Sequence, residues 1–116
     1  MKKKAIIYTR FSPRRNAAES ESCEVQRDLC RKYADGNGLV VTECFDDPDV
    51  SGADEFRAKL WQAIEALPRD GVLLVYKRDR LARNVYLSEQ INRAVKAKGA
   101  VIQAVSGDVA GDSAEH

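Results

Sequence analysis

The strongest constraint on the fold is an alternation. Short apolar runs at 5–8, 39–45, 72–76 and 100–105 take turns with stretches of helical periodicity. The runs at 5–8 and 72–76 are continuously apolar, as strands buried on both faces are. The run at 39–45 alternates only weakly. After the first run comes a polar loop at 13–21, then a helix with Ser20 or Ser22 as N-cap and Glu21 and Glu24 near its first turn. Its stripe is Cys23, Gln26, Leu29, Cys30 and Tyr33, and "DGNG" at 35–38 ends it. A second helix starts near Asp54, carries Phe56, Leu60, Ile64 and Leu67 on one face, and is stopped by Pro68 and Gly71. Asn84 caps a third that runs to Lys98, with Leu87, Ile91, Ala94 and Val95 inward and Gly99 as terminator. The order β-α-β-α-β-α-β predicts an α/β fold. Its open, mainly parallel sheet of about four strands is covered by helices on both faces in three layers. Residues 1–105 form one domain, and 106–116, "SGDVAGDSAEH", form a polar tail.

A chain of 116 residues, 44% hydrophobic, suits one core. The net charge of +1 says little about partners, but its distribution says more. Lys2, Lys3, Lys4, Arg10, Arg14 and Arg15 stand in 1–15 without an acid; 19–55 carries eleven acids against three bases, and 57–98 ten bases against four acids. Two basic segments could build one anion-binding face, or simply a solvated surface. Cys23, Cys30 and Cys44 are odd in number and lack CxxC spacing, so they read as reduced thiols of a cytoplasmic protein, with Cys23 and Cys30 on one helical face. No apolar run reaches the roughly 20 residues that span a membrane. "MKKK" leads straight into a run too short for a signal peptide.

In an open parallel sheet, sites form beyond the carboxyl ends of the strands, where the strand order switches. Arg10 and Ser12 follow the first run; Lys77, Arg78, Asp79, Arg80 and Arg83 follow the third. If those strands are neighbours, both clusters face one crevice, and Arg57 joins from the second helix. Guanidinium forks match phosphate oxygens and stay charged at any working pH. Several around one hydroxyl suit a nucleophile attacking phosphorus, because they neutralise charge as it develops. Gln26 lies on the apolar stripe, as a satisfied buried amide or as a group reaching the crevice. "DPDVSG" opens like a calcium loop, but its twelfth position is Ala58, where a glutamate is required. Asp46, Asp47 and Asp49 could hold magnesium in a metal-dependent nuclease, and turn acids explain them more simply. His116, the single histidine, stands at the last position, and Trp61 reads as a packing residue.

Together these residues resemble the catalytic domain of serine recombinases, the resolvase/invertase family. "YTRFS" is similar to the family's Y-x-R-x-S, and "SCEVQ" to its S-x-x-x-Q. "DDPDVSG" followed by Arg57 is similar to its D-x-x-x-S-G and the arginine beyond, and "KRDRLARN" to its x-x-D-R-L-x-R. The match runs from residue 4 to about 105, in order and at compatible spacing. The Ser12-to-Gln26 spacing is like that of members with a longer first loop, often the large type. Pro13 departs from the small polar residues common at its position.

The resemblance implies that Ser12 attacks a DNA phosphodiester and forms a 5′-phosphoserine intermediate. Strand exchange in a synaptic tetramer and religation follow, with no metal or cofactor. It implies Arg10, Arg57, Arg80 and Arg83 as phosphate ligands. Asp79 either orients arginines or helps proton transfer, and Tyr8, Gln26 and Asp47 support. It implies DNA, a homodimer and a homotetramer as partners of the full-length protein. A dimerisation helix and a DNA-binding domain are expected beyond 106–116. A non-catalytic phosphate- or partner-binding module with the same fold stands as the alternative, beside the metal-dependent nuclease.

Overall fold

The computed structural model describes residues 2–10, 22–47, 58–77 and 85–105. Their order is β1 (Lys3–Arg10), α1 (Cys23–Gly36), β2 (Leu39–Asp47), α2 (Ala58–Glu65), β3 (Val72–Val75), α3 (Val85–Ala97) and β4 (Val101–Ala104). The four strands form one sheet in the order β2-β1-β3-β4, every adjacent pair parallel. β1 and β3, the continuous apolar runs, take the centre, and the mixed sequences of β2 and β4 take the outer positions. The chain moves one way from β1 to β2 and the other way from β2 to β3 and on to β4. Crossovers of one hand therefore put α1 on one face and α2 and α3 on the other.

Two cores result. Ile6, Tyr8, Leu73 and Val75 pack under Leu60, Ile64, Leu87, Ile91 and Val95 of α2 and α3. Ala5, Ile7, Val72 and Leu74 pack under Cys30 and Ala34 of α1. The alternation of a strand thus serves both layers. Phe45 and Trp61 pack against the first core, and Tyr33, Leu39, Val41 and Cys44 against the second. Burial pushes the Cys30 thiol up to about 12, with the Cys44 thiol adding to the rise.

Two strands are longer than the apolar runs suggest. β1 continues through Thr9 and Arg10, and β2 through Asp46 and Asp47. Arg10 is therefore the last residue of β1, where it was expected to follow the strand. The hydrophobic signal stops where the side chains turn polar, but the backbone ladder continues to the pair Arg10 and Asp47. Of the two candidate caps for α1, Ser22 is used. Its Oγ accepts from the Val25 N–H at 3.2 Å, satisfying one free donor of the first turn. Asn37 caps the other end, and Gly38 follows at φ 71°, a left-handed turn that glycine adopts without strain. Cys30 is buried as its stripe predicts, while Cys23 is half-buried. The α2 start expected near Asp54, the Asn84 cap expected for α3, and residues 48–57 and 106–116 lie outside the described residues. No described helix is long and apolar enough to cross a membrane.

The ladder between β1 and β2 contains one irregularity. Ala5 pairs with Val41 and Ile6 with Glu43, leaving Thr42 as an extra residue whose Oγ1 bonds the Ala5 carbonyl at 3.4 Å. The bulge reverses the parity of β2. Before it, Leu39 and Val41 face α1; after it, Cys44 does, and Phe45 turns to the other core. This also explains the weak alternation of the segment.

Two glycines make a test. A Cβ at Gly71, where the chain enters β3, would stand 2.8 Å from Pro68 Cδ and 2.9 Å from the Pro68 carbonyl oxygen. Gly36, the last residue of α1, has nothing within 4 Å of that position. Gly71→Ala should cost about 1–3 kcal/mol by overpacking, and Gly36→Ala should be neutral or stabilise by up to ~1 kcal/mol, both read from urea midpoints. The Cys30 thiol gives a pH test. Its folded value is raised, so its contribution to stability is complete below the unfolded value of roughly 8.5. That contribution is lost as pH climbs toward about 12. Cys30→Ala should lose less stability than the parent between pH 8 and 10 in urea titrations at each pH.

Candidate active site

The carboxyl ends of β1 and β2 carry four polar or charged residues in two pairs: Tyr8 with Asp47 and Thr9 with Asp46. Arg10 follows Thr9, and α1 supplies Gln26 and Arg27. Tyr8, Thr9 and Gln26 are fully buried; Arg10 is 4% and Asp47 6% exposed, too little for solvated strand ends. Buried polar groups need partners, and the local geometry supplies them.

The strand period splits the set between faces. Tyr8 and Asp47 lie toward α2 and α3, where the Tyr8 hydroxyl donates to Asp47 Oδ2 at 2.7 Å. Arg10 is the register partner of Asp47, so a guanidinium-bearing residue and a carboxylate end adjacent strands side by side. Thr9 and Asp46 lie toward α1. Thr9 Oγ1 donates to Asp46 Oδ1 at 2.6 Å, and Arg27 Nη1 meets Asp46 Oδ2 at 2.8 Å. Cys23 belongs to this side too. Burial raises its thiol above the ordinary value, opposed by a side-chain hydrogen bond with Thr9.

Gln26 holds the last peptide units of β1. Its Nε2 donates to the Arg10 carbonyl at 2.8 Å, and its Oε1 accepts from the Arg10 N–H at 3.3 Å. The side-chain amide pairs with Arg10 as another strand's peptide would. Its position on the α1 stripe, four residues before Cys30 and eight before Ala34, brings it down onto the sheet.

Of the residues singled out in the sequence, Tyr8, Arg10, Gln26 and Asp47 therefore gather at the carboxyl end of β1. The expected adjacency of the first and third strands is present, β1 pairing with β3 through Ala5–Ile7 and Val72–Leu74. Lys77, just past β3, lies with its Nζ 5.4 Å from the Tyr76 ring centroid. Ser12, Arg57, Asp79, Arg80 and Arg83 lie outside the described residues. Among the described residues no cluster of three or more His, Cys, Asp or Glu could hold a metal ion. Asp46 and Asp47, adjacent in sequence, point to opposite faces and bond different partners, so this pair does not converge on one ion. Sequence reasoning missed Thr9 and Arg27, and took Asp46 only as a turn acid or a candidate magnesium ligand. Period two from Tyr8 would have placed Thr9 opposite, but the parity of β2 depends on a bulge that leaves little trace in composition.

Tyr8→Phe tests the face toward α2 and α3. It removes the donor from a buried carboxylate oxygen and leaves the ring's packing in place. The expected cost is about 1–3 kcal/mol by urea denaturation, and a loss below a few tenths would contradict the described bond.

The Resolvase N-terminal domain family model matches residues 5–115. The N-terminal catalytic domain of TP901-1 integrase is similar at 31% identity and TM-score 0.74, over 89% of this chain and 77% of that one. The C-terminal catalytic domain of ISC1926 TnpA, an IS607-like serine recombinase, is similar at 27% identity and TM-score 0.72, over 97% and 76%. A resolvase family site-specific recombinase from Streptococcus pneumoniae shares the fold at 21% identity and TM-score 0.68, over 90% and 72%. No curated protein matches. With a parallel four-stranded sheet, polar residues gathered at the carboxyl end of its first strand and a family match over nearly its whole length, this chain belongs to the resolvase family and has the fold of a serine recombinase catalytic domain.

Proposed function

We propose that this chain is the catalytic domain of a site-specific DNA recombinase that uses Ser12 as nucleophile. The observation that carries the reading is the placement of Arg10. It is buried, its peptide is held on both sides by Gln26, and it stands two residues before a serine at the carboxyl edge of a central strand. This placement supports a phosphate site there, with the Gln26 bonds holding the strand end.

In the proposed step the Ser12 hydroxyl loses its proton as its oxygen bonds to phosphorus. The bond from phosphorus to the 3′ oxygen breaks, and that oxygen takes a proton to become a 3′-hydroxyl. The 5′ phosphate stays on Ser12. The new ester keeps the energy of the old one, so religation needs no high-energy cofactor. Arg10, Arg57, Arg80 and Arg83 neutralise the phosphate as charge builds, and their fixed charge favours the pentacoordinate state over the ground state. Asp79 orients these arginines or carries a proton. Tyr8, Gln26 and Asp47 hold the platform. Strand exchange takes place in a homotetramer assembled from dimers on DNA, in the cytoplasm. Base reading belongs to a separate DNA-binding domain, since phosphate contacts carry no sequence information directly. Two similar proteins bear their catalytic domains at opposite ends, N-terminal in TP901-1 integrase and C-terminal in ISC1926 TnpA. The order of domains around this one is therefore not set by the catalytic fold.

The test uses the polypeptide that contains these residues and a DNA duplex bearing its target site. The parent should form a covalent protein–DNA adduct in EDTA, and Ser12→Ala should form none. An adduct that survives the substitution would remove Ser12 from the role, and cleavage that stops in EDTA would favour a metal-dependent nuclease.

A further inference from the structure

Two consecutive residues of α1 reach the end of β1 by separate routes. Gln26 grips the peptide of Arg10 directly. Arg27 grips Asp46, and Asp46 grips the hydroxyl of Thr9, the residue before Arg10. Three chain segments, β1, β2 and α1, are thereby tied at one level. An exposed ion pair would contribute little. This carboxylate differs, because one oxygen takes a charge-assisted bond at 2.8 Å and the other a 2.6 Å bond from a fully buried hydroxyl. The tie also lies on the sheet face away from the Tyr8–Asp47 pair, so neither can substitute for the other.

The geometry at Arg10 depends on α1 keeping its height along β1. The paired bonds of Gln26 tolerate little sliding, since both angle and distance would be lost together. Asp46 is the group that sets that height from β2. We infer that Asp46 is a positioning residue for the phosphodiester chemistry. Through Thr9 and Arg27 it fixes the end of β1 from the α1 side, and so sets where Arg10 and the nucleophile two residues later stand. The inference rests on the recombinase reading of Ser12.

Asp46→Asn keeps an oxygen for Thr9 and removes the charge opposite Arg27. In the polypeptide containing this chain, prebound to target DNA, the single-turnover rate of adduct formation should fall about 10- to 100-fold per folded molecule. Half-saturation by DNA should stay unchanged. Arg27→Ala, which removes the other member of the pair, should show the same split, and Arg27→Lys should recover part of the rate. A residue that only stabilises the fold would lower the amount of folded protein and leave the rate per folded molecule alone, so that result overturns the inference. So does a parental rate in Asp46→Asn while Ser12→Ala forms no adduct, and this outcome leaves the recombinase reading intact. A parent that forms no adduct overturns both. If Asp46→Asn does not fold, the Arg27 pair of variants decides on the same criteria.

Discussion

A central strand must stay buried to its last residue, yet here it must become polar before it ends. That conflict organises the structure. Ile6 and Ile7 lie between two layers of helices, and three residues later the same strand presents an arginine. Burying Tyr8, Thr9 and Arg10 without partners would cost several kcal/mol for each group. The chain answers with Asp47 for Tyr8, Asp46 for Thr9 and the Gln26 amide for the Arg10 peptide. Each partner comes from an element that neighbours β1, so the polar end of the strand is also the place where its neighbours are held in register.

The bulge at Thr42 makes this division possible. A regular strand would carry the parity of Leu39 and Val41 onward and put Phe45 and Asp47 toward α1. One extra residue sends Phe45 into the larger core and Asp47 to the Tyr8 hydroxyl, and leaves Asp46 for Thr9 and Arg27. Local irregularity, not added side chains, allocates two adjacent carboxylates to two sides of the sheet. Polar networks of this kind specify one arrangement when every member is satisfied. Here they hold Arg10, the proposed phosphate ligand among the described residues, at the end of a strand.

Much of the fold was legible in the sequence because burial in a two-faced sheet leaves a plain record. Continuous apolar runs became the central strands, helical stripes became the inward faces of α1, α2 and α3, and Ser22 and Asn37 closed α1. The ends of β1 and β2 were shorter in the reading than in the structure, because hydrophobic periodicity stops at Tyr8 and Phe45 while hydrogen bonding does not. The site was partly legible. Tyr8, Arg10, Gln26 and Asp47 stood out, and they do meet. Thr9 and Arg27 did not, and Asp46 stood out only as a turn acid or metal candidate, because their roles arise from the parity that a single bulge imposes. Choosing Asp47 over its neighbour for the Tyr8 side could not have been done by counting periods from Leu39.

The central claim is a covalent bond from Ser12 to a 5′ phosphate, made beside a buried Arg10. Digesting the trapped protein–DNA complex with protease and nuclease, then sequencing the modified peptide by tandem mass spectrometry, tests it most directly. The account predicts a nucleotide phosphate on Ser12, with free 3′-hydroxyls on the cleaved DNA. A phosphate found on any other residue, or cleaved ends carrying free 5′ phosphates and no peptide, would contradict it.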